Sequence, residues 1–458
     1  MQKILLFIAS LFYFNFLFSK NEIKSWQGIH ETPLSRLEQQ FAEPPVEFAN
    51  HVIWGWEGKM DKKTICNDLD SIKKKGFRAV IFEAGYKLPF KYLSEEWFKA
   101  IRTGVVEAKK RDMKVWIIDE GKYPSGFAGG KFSQERPDLR MQALVIGDTI
   151  QIKRGEVMTN HKIAPEIISA VAVSTSGAPN RTVEINNGKI SFNAGLDDWK
   201  ILLVKSDFRT AVTRAVNNPN GGKDATNSLC DYLNPVAVQQ FIDWTHKQYK
   251  KYLGKELGTT VLGFRGDEPD YAHLPWTPSI VQTFKDTKGY DPTPYLASFF
   301  TASPTIQEQR VKADYWDVWS SLFATHFFKL QADWCAANGV AHITHLNKEH
   351  EMPACVKAEG DYFRALSKVQ IPGVDAIWNQ IWPSTLNDFP KLASSVAHVY
   401  GKPRAFSESF AAYHISPTIP QAKFVVDHQI ARGINFFEFM FWLAGSKHRN
   451  WKIGRAHV

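Results

Sequence analysis

The run Val261-Leu262-Gly263-Phe264-Arg265-Gly266-Asp267-Glu268-Pro269 decides the fold. A short apolar stretch bounded by turn residues reads as a buried strand. Pro269 forbids its continuation and is expected to hold Glu268 extended. Asp267 and Glu268 therefore stand at a strand's carboxyl end, where α/β proteins bind ligands.

The same arrangement recurs on both sides. Residues 51–58, 78–84 and 114–121 read as three earlier strands. Two helical stretches separate them. One ends at Gly76, and the other is opened by Ser94 with Glu95 and Glu96 behind it. Downstream, residues 340–346, 374–378, 404–408 and 434–440 supply four more strands between helical segments. Eight strands alternating with helices predict an α/β fold, a (β/α)8 TIM-type barrel. An open doubly wound sheet is the alternative, and the absence of a glycine-rich loop after the first strand counts against it. From about residue 144 the pattern changes to alternating β segments with turns at Ser176-Gly177 and Asn186-Asn187-Gly188. This predicts an inserted antiparallel β module over 144–215, with the barrel in two parts, 51–143 and 216–452.

At the amino end, Lys3 precedes an apolar run to Phe18 and a small Ser19. Residues 1–19 are expected to be a signal peptide, giving an exported, periplasmic or secreted protein with no stable membrane span, and an uncleaved anchor is the alternative. Residues 20–50 read as an irregular lead-in. The chain stops soon after strand eight, so the barrel reads as truncated there, and 453–458 resemble an adapter-encoded, non-native tail.

Of 458 residues, 44% are apolar, ample for a large core. The net charge of +9 is spread out, with no dense basic block interleaved with aromatics, which argues against nucleic acid as a partner. Cys66, Cys230, Cys335 and Cys355 form no CxxC pair and are expected to be free thiols.

Candidate chemistry lies at the strand ends: Glu83, Asp119, Glu120, Asp267, Glu268, His345, Glu408 and Glu438, with Glu57 and Asp375 in the same ring. There are 15 tryptophans, and Trp54, Trp56 and Trp378 stand close to that ring. A polar pocket with aromatic platforms suits a carbohydrate, although core packing is the ordinary use of a tryptophan. Glycoside hydrolysis needs two carboxyls flanking the bond, and strands four and seven face each other, so Glu268 and Glu408 form the candidate catalytic pair. Trp54, Trp56, Glu83, Asp119, Glu120, Asp267, His345, Trp378 and Glu438 are the candidate substrate contacts. Structural uses compete: Asp267 could cap a turn, and Asp119 and Glu120 could pair with a cation. His342 and His345 point to opposite sides of strand five, and His345 is taken as the inward one.

The chain resembles glycoside hydrolase family 106, the α-L-rhamnosidases. The resemblance rests on Trp54-Gly55-Trp56, Tyr92 to Trp97, Asp119-Glu120 with Pro124-Ser125-Gly126-Phe127-Ala128-Gly129-Gly130, Asp231 to Pro235, Asp267-Glu268-Pro269, Ser407 to Phe410 and Arg432 to Asn435. It implies an exo-acting inverting hydrolase releasing a terminal sugar such as α-L-rhamnose, with Glu268 as general acid and Glu408 as general base. It also implies a bound Ca2+ whose ligands the sequence does not identify. Two features depart from the pattern: C-terminal β domains are lacking, and Arg265-Gly266 stands where apolar or small residues are expected. A retaining hydrolase of another sugar and a non-catalytic cell-surface carbohydrate-binding barrel are the alternatives.

Overall fold

The computed structural model describes residues 33–445 except 86, 122–123, 210–212, 215–222, 225–227, 270, 272–273, 386 and 414–416. The expected signal segment and the 453–458 tail lie outside the described residues. No helix among the described residues is long and apolar enough to cross a membrane.

Two units are distinguished, up to Phe48 and from Ala49 onward. The first holds the helix Leu34–Ala42 and a 3-10 turn at Val46–Phe48, so part of the lead-in that reads as irregular is helical. Leu34, Leu37 and Phe41 fall at helical spacing and are all exposed.

In the second unit eight parallel strands close a barrel. They are β1 (His51–Trp56), β2 (Ala79–Ala84), β3 (Lys114–Ile118), β4 (Val261–Gly266), β5 (Ala341–Thr344), β6 (Ile371–Ala376), β7 (Phe406–Ser409) and β8 (Phe436–Leu443). Each pairs with its sequence neighbour, and β8 returns to β1. Local chemistry starts the helices between them. Asp61 accepts the Thr64 N–H, Ser94 accepts the Trp97 N–H, and Thr305 with Glu308 and Thr418 with Gln421 form reciprocal capping boxes. The interior is filled by large residues against small ones. A Cβ on Gly263 would stand 2.5 Å from the Trp116 ring, and one on Gly373 would stand 2.1 Å from the Phe406 ring.

β6 begins three residues before the predicted start because Ile371-Pro372-Gly373 reads as a break. The insertion is a five-stranded antiparallel sheet around Gln142–Ile152, Ile167–Ser174 and Trp199–Phe208, with a separate pair, Val157–Lys162 and Lys189–Asn193. Its edge strand, Pro275–Trp276, comes from beyond β4, so the module is not a self-contained stretch of sequence. None of the four cysteines is in a disulfide, and Cys230, Cys335 and Cys355 are buried.

Candidate active site

Three acids stand in register across neighbouring strands: Asp375 of β6 opposite Glu408 of β7, and Glu408 opposite Glu438 of β8. Side chains alternate along a strand, so residues in register share a face, here the barrel interior. Three adjacent carboxylates would repel one another without a cation. Arg265, one residue from the carboxyl end of β4 and fully buried, supplies it. Its Nη2 binds Glu408 Oε2, its Nε donates to Glu438 Oε2 at 3.1 Å, and its Nη1 pairs with Asp267 Oδ1 at 2.9 Å. The departure at Arg265-Gly266 is therefore the hub of the site. A buried arginine must be paired, and that is the signal the sequence offered for it.

His345, directly after β5, completes the cluster. Its Nδ1 lies 2.9 Å from the Leu346 carbonyl, and its Nε2 lies 3.2 Å from Glu408 Oε2 and 3.4 Å from Asp267 Oδ1. Burial alone would lower its pKa, but the hydrogen bonds to Asp267 and Glu408 override this and raise it well above the ordinary range. The ring is then an imidazolium. The 2.8 Å approach of Arg265 Nη2 to the same nitrogen is a contact of two cations held together by the Glu408 oxygen both touch. Burial likewise works to raise the Asp267 pKa, and Arg265 and His345 overcome it and hold the carboxyl well below the usual range.

Glu268 has a different environment. Burial, then the nearby Asp267 charge, push its pKa up to about 7. Its carboxyl hydrogen-bonds Asp375, whose own pKa burial and Glu408 raise well above normal. Both acids therefore favour their protonated forms more than an ordinary carboxyl does. Glu349, in the loop after β5, is pushed up to about 8 by burial. These groups line a cavity of about 260 Å3 whose wall includes Glu83, Asp267, Glu268, Glu349, Asp375 and Glu408, with Lys348 and Trp378 also in contact with it. The loops around it are strained: Glu268, Lys348, Trp378, Phe410 and Ala412 all have positive φ. Such strain concentrates at functional sites. Glu268, at φ 38, departs from the extended backbone expected before Pro269.

The remaining candidates fall into separate places. Glu83 lines the cavity, and so does Trp378, which is 56% exposed. Glu438 and His345 lie behind the wall, fully buried, where they hold Arg265 and Glu408 rather than touch a ligand. Trp54 and Trp56 are a correction. With Val52 they occupy the outward face of β1, buried against Phe82 and Trp97, and Trp54 donates to Asp68 at 3.2 Å. They are core residues, while Ile53 between them reaches the cavity. Asp119 and Glu120 are also buried outside the cavity wall. Glu120 accepts backbone N–H groups from Gly121, Ala128 and Gly129. Asp119 accepts the Ser125 hydroxyl at 2.7 Å. Ser125 in turn accepts the Asp267 N–H on its Oγ at 2.7 Å and donates its own N–H to the Asp267 carbonyl at 2.8 Å. The Pro124–Gly130 segment thus fixes the end of β4 from behind. Glu349 is a residue that sequence reasoning missed. It lies in a loop without periodicity, and its only signal was its spacing of four from His345.

A closed barrel carrying a buried carboxyl pair and a cation-held carboxylate at one mouth has the plan of a glycoside hydrolase. The family model described as alpha-L-rhamnosidase matches residues 161–441, more than half of the chain, and the chain belongs to that family, glycoside hydrolase family 106. A rhamnosidase from Novosphingobium sp. PP1Y has a similar fold, with TM-score 0.67 and 15% identity over 90% of this chain and 56% of that one. A Formosa agariphila protein named "Putative beta-glucuronidase" is 23% identical over 92% of this chain. The chain spans 38% of that relative's length.

Proposed function

We propose that this barrel is the catalytic domain of an exported, exo-acting, inverting hydrolase that releases a terminal sugar, α-L-rhamnose before others. Glu268 acts as the acid and Glu408 as the base. The observation that carries the reading is the placement of Glu268, beside Asp375 and Asp267, on the same cavity that Glu408 lines. A general acid must be protonated at working pH, and burial beside other acids keeps Glu268 so. Both cations touch Glu408 at Oε2, which leaves Oε1 to take a proton from water. Trp378 offers an apolar face to the sugar ring. Family membership and the rhamnosidase-like fold support the substrate class. Export is supported by Lys3 and the apolar run behind it.

Calcium belongs to the proposal too. Asp375 and Glu349 fit a hard cation, which would replace the protons that burial favours on them, and Asp375 Oδ1 has no hydrogen-bond partner. A bound Ca2+ would offer Lewis acidity to sugar hydroxyls, and Glu268 would stay outside its ligand set to keep its proton.

The test is hydrolysis of alkyl α-L-rhamnosides, whose leaving group needs an acid, with Glu268→Gln and Glu408→Gln. Loss of turnover in both variants is expected, and NMR of the unsubstituted enzyme's reaction should show β-rhamnose released first from the α-rhamnoside. Near-normal turnover in both sinks the assignment, and retention of configuration moves Glu408 to the nucleophile role. A second reading, a uronic acid substrate, is favoured by Lys348, an exposed cation on the cavity rim suited to a carboxylate. Aryl glucuronides assayed alongside rhamnosides decide between the two.

A further inference from the structure

A second cluster of ligating side chains lies apart from the cavity. His342 is in β5, on the face opposite the side that leads to His345. His246 opens the helix His246–Leu253, and Cys335 lies in the helix Lys329–Ala337. All three are buried, and a ligand atom from each lies within 4.8 Å of the others. Neither nitrogen of His342 has a hydrogen-bond partner, nor has His246 Nε2. Native interiors rarely leave such groups bare, because each gives up its hydration with no partner in return.

The tautomer of His246 follows from its neighbour. The Thr245 hydroxyl donates its one hydrogen to the Phe241 carbonyl at 2.7 Å. Its oxygen, 2.9 Å from His246 Nδ1, can therefore only accept. His246 thus carries Nδ1–H and presents Nε2 as a bare lone pair toward the cluster. A ring nitrogen fixed through its other N–H is the usual arrangement at a metal-binding histidine. Burial holds both imidazoles neutral, His342 with its pKa down to about 3, which is the metal-binding form.

We propose that His246, Cys335 and His342 form a buried site for a borderline-soft divalent cation of the Zn2+ class. Two imidazoles and a thiolate suit such an ion and do not suit Ca2+. A tetrahedral zinc needs its ligand atoms about 3.5 Å apart, within reach of small side-chain rotations from the separation seen. Gln331, fully buried one helical turn before Cys335, has an unpartnered Oε1. Binding displaces the Cys335 proton to solvent and ties β5, which leads into His345, to two flanking helices.

The test is a Co2+ titration of the full chain after dialysis against a strong chelator. A thiolate-to-cobalt charge-transfer band saturating at one ion per chain is expected, retained in Cys66→Ser and lost in Cys335→Val. X-ray absorption on the wild type, which needs no variant, should show one sulfur and at least two nitrogens around cobalt. No charge-transfer band in the wild type, a band that survives in folded Cys335→Val, or an all-oxygen shell would each overturn the site.

Discussion

Arg265 of β4 reaches across the barrel to Glu408 of β7, and the same guanidinium holds Asp267 and Glu438. Replacing it by methionine leaves three acids facing one another without that cation. A loss of about 3–5 kcal/mol in unfolding free energy is expected at neutral pH. The sign with pH follows from Asp267. Its folded pKa is depressed, so its stabilising contribution is present above the unfolded pKa and is lost as pH falls through the folded one. The gap between wild type and Arg265→Met in urea melts should therefore narrow on acidification. A gap that widens would show that Arg265 does not hold these carboxylates.

Glu268 should set the alkaline limb of activity. Its proton is lost as pH rises through about 7, and kcat should fall with it. Glu268→Gln should lower kcat on an unactivated glycoside by about 10^2–10^4-fold and much less on an aryl glycoside with a good leaving group. A pH–rate profile of the variant should lack the alkaline limb. If the limb survives, another group is the acid.

The barrel was legible because buried parallel strands give short apolar runs with acids at their ends, a local signal. The ring positions of Glu268, Asp375 and Glu408 followed from it. Which acids reach the cavity was less legible, because that depends on alternation and on loops. Strand alternation puts Trp54 and Trp56 outward and Ile53 inward, and nearness in sequence to Glu57 concealed it. Beyond the strand ends alternation no longer applies. Glu120 turns back to bind the Ala128-Gly129 backbone while Glu349 turns into the cavity, and no spacing rule separates the two.

The tryptophans give a paired test. Trp378→Ala removes a half-exposed platform and should raise KM about tenfold with kcat nearly unchanged. Trp54→Ala empties a buried site and should cost about 3–5 kcal/mol of stability while sparing the KM of folded enzyme. Equal effects of the two on KM would contradict the placement of Trp54 in the core.

Stability itself should fall between about pH 5 and pH 8. Asp119 and Asp231 have pKa values pushed up to about 7 by burial, and Glu120 to about 8. Unfolded, these acids lose their protons near pH 4. Between the two ranges the folded chain binds more protons than the unfolded one, so unfolding free energy decreases as pH rises. Asp267, whose pKa is shifted the other way, acts only at lower pH. The buried His51, His246 and His342, whose pKa values burial lowers, oppose the trend only below about pH 6.5 and are outnumbered by the raised acids. A melting series from pH 5 to pH 8 should therefore show Tm declining, and Asp231→Asn should flatten part of that slope. The Asp231 carboxyl accepts the Thr277 hydroxyl at 2.7 Å and the Leu233 N–H at 3.0 Å, and the amide oxygen of asparagine can keep one of these. A Tm that rises across this range would mean that these carboxyls are ionised in the folded chain.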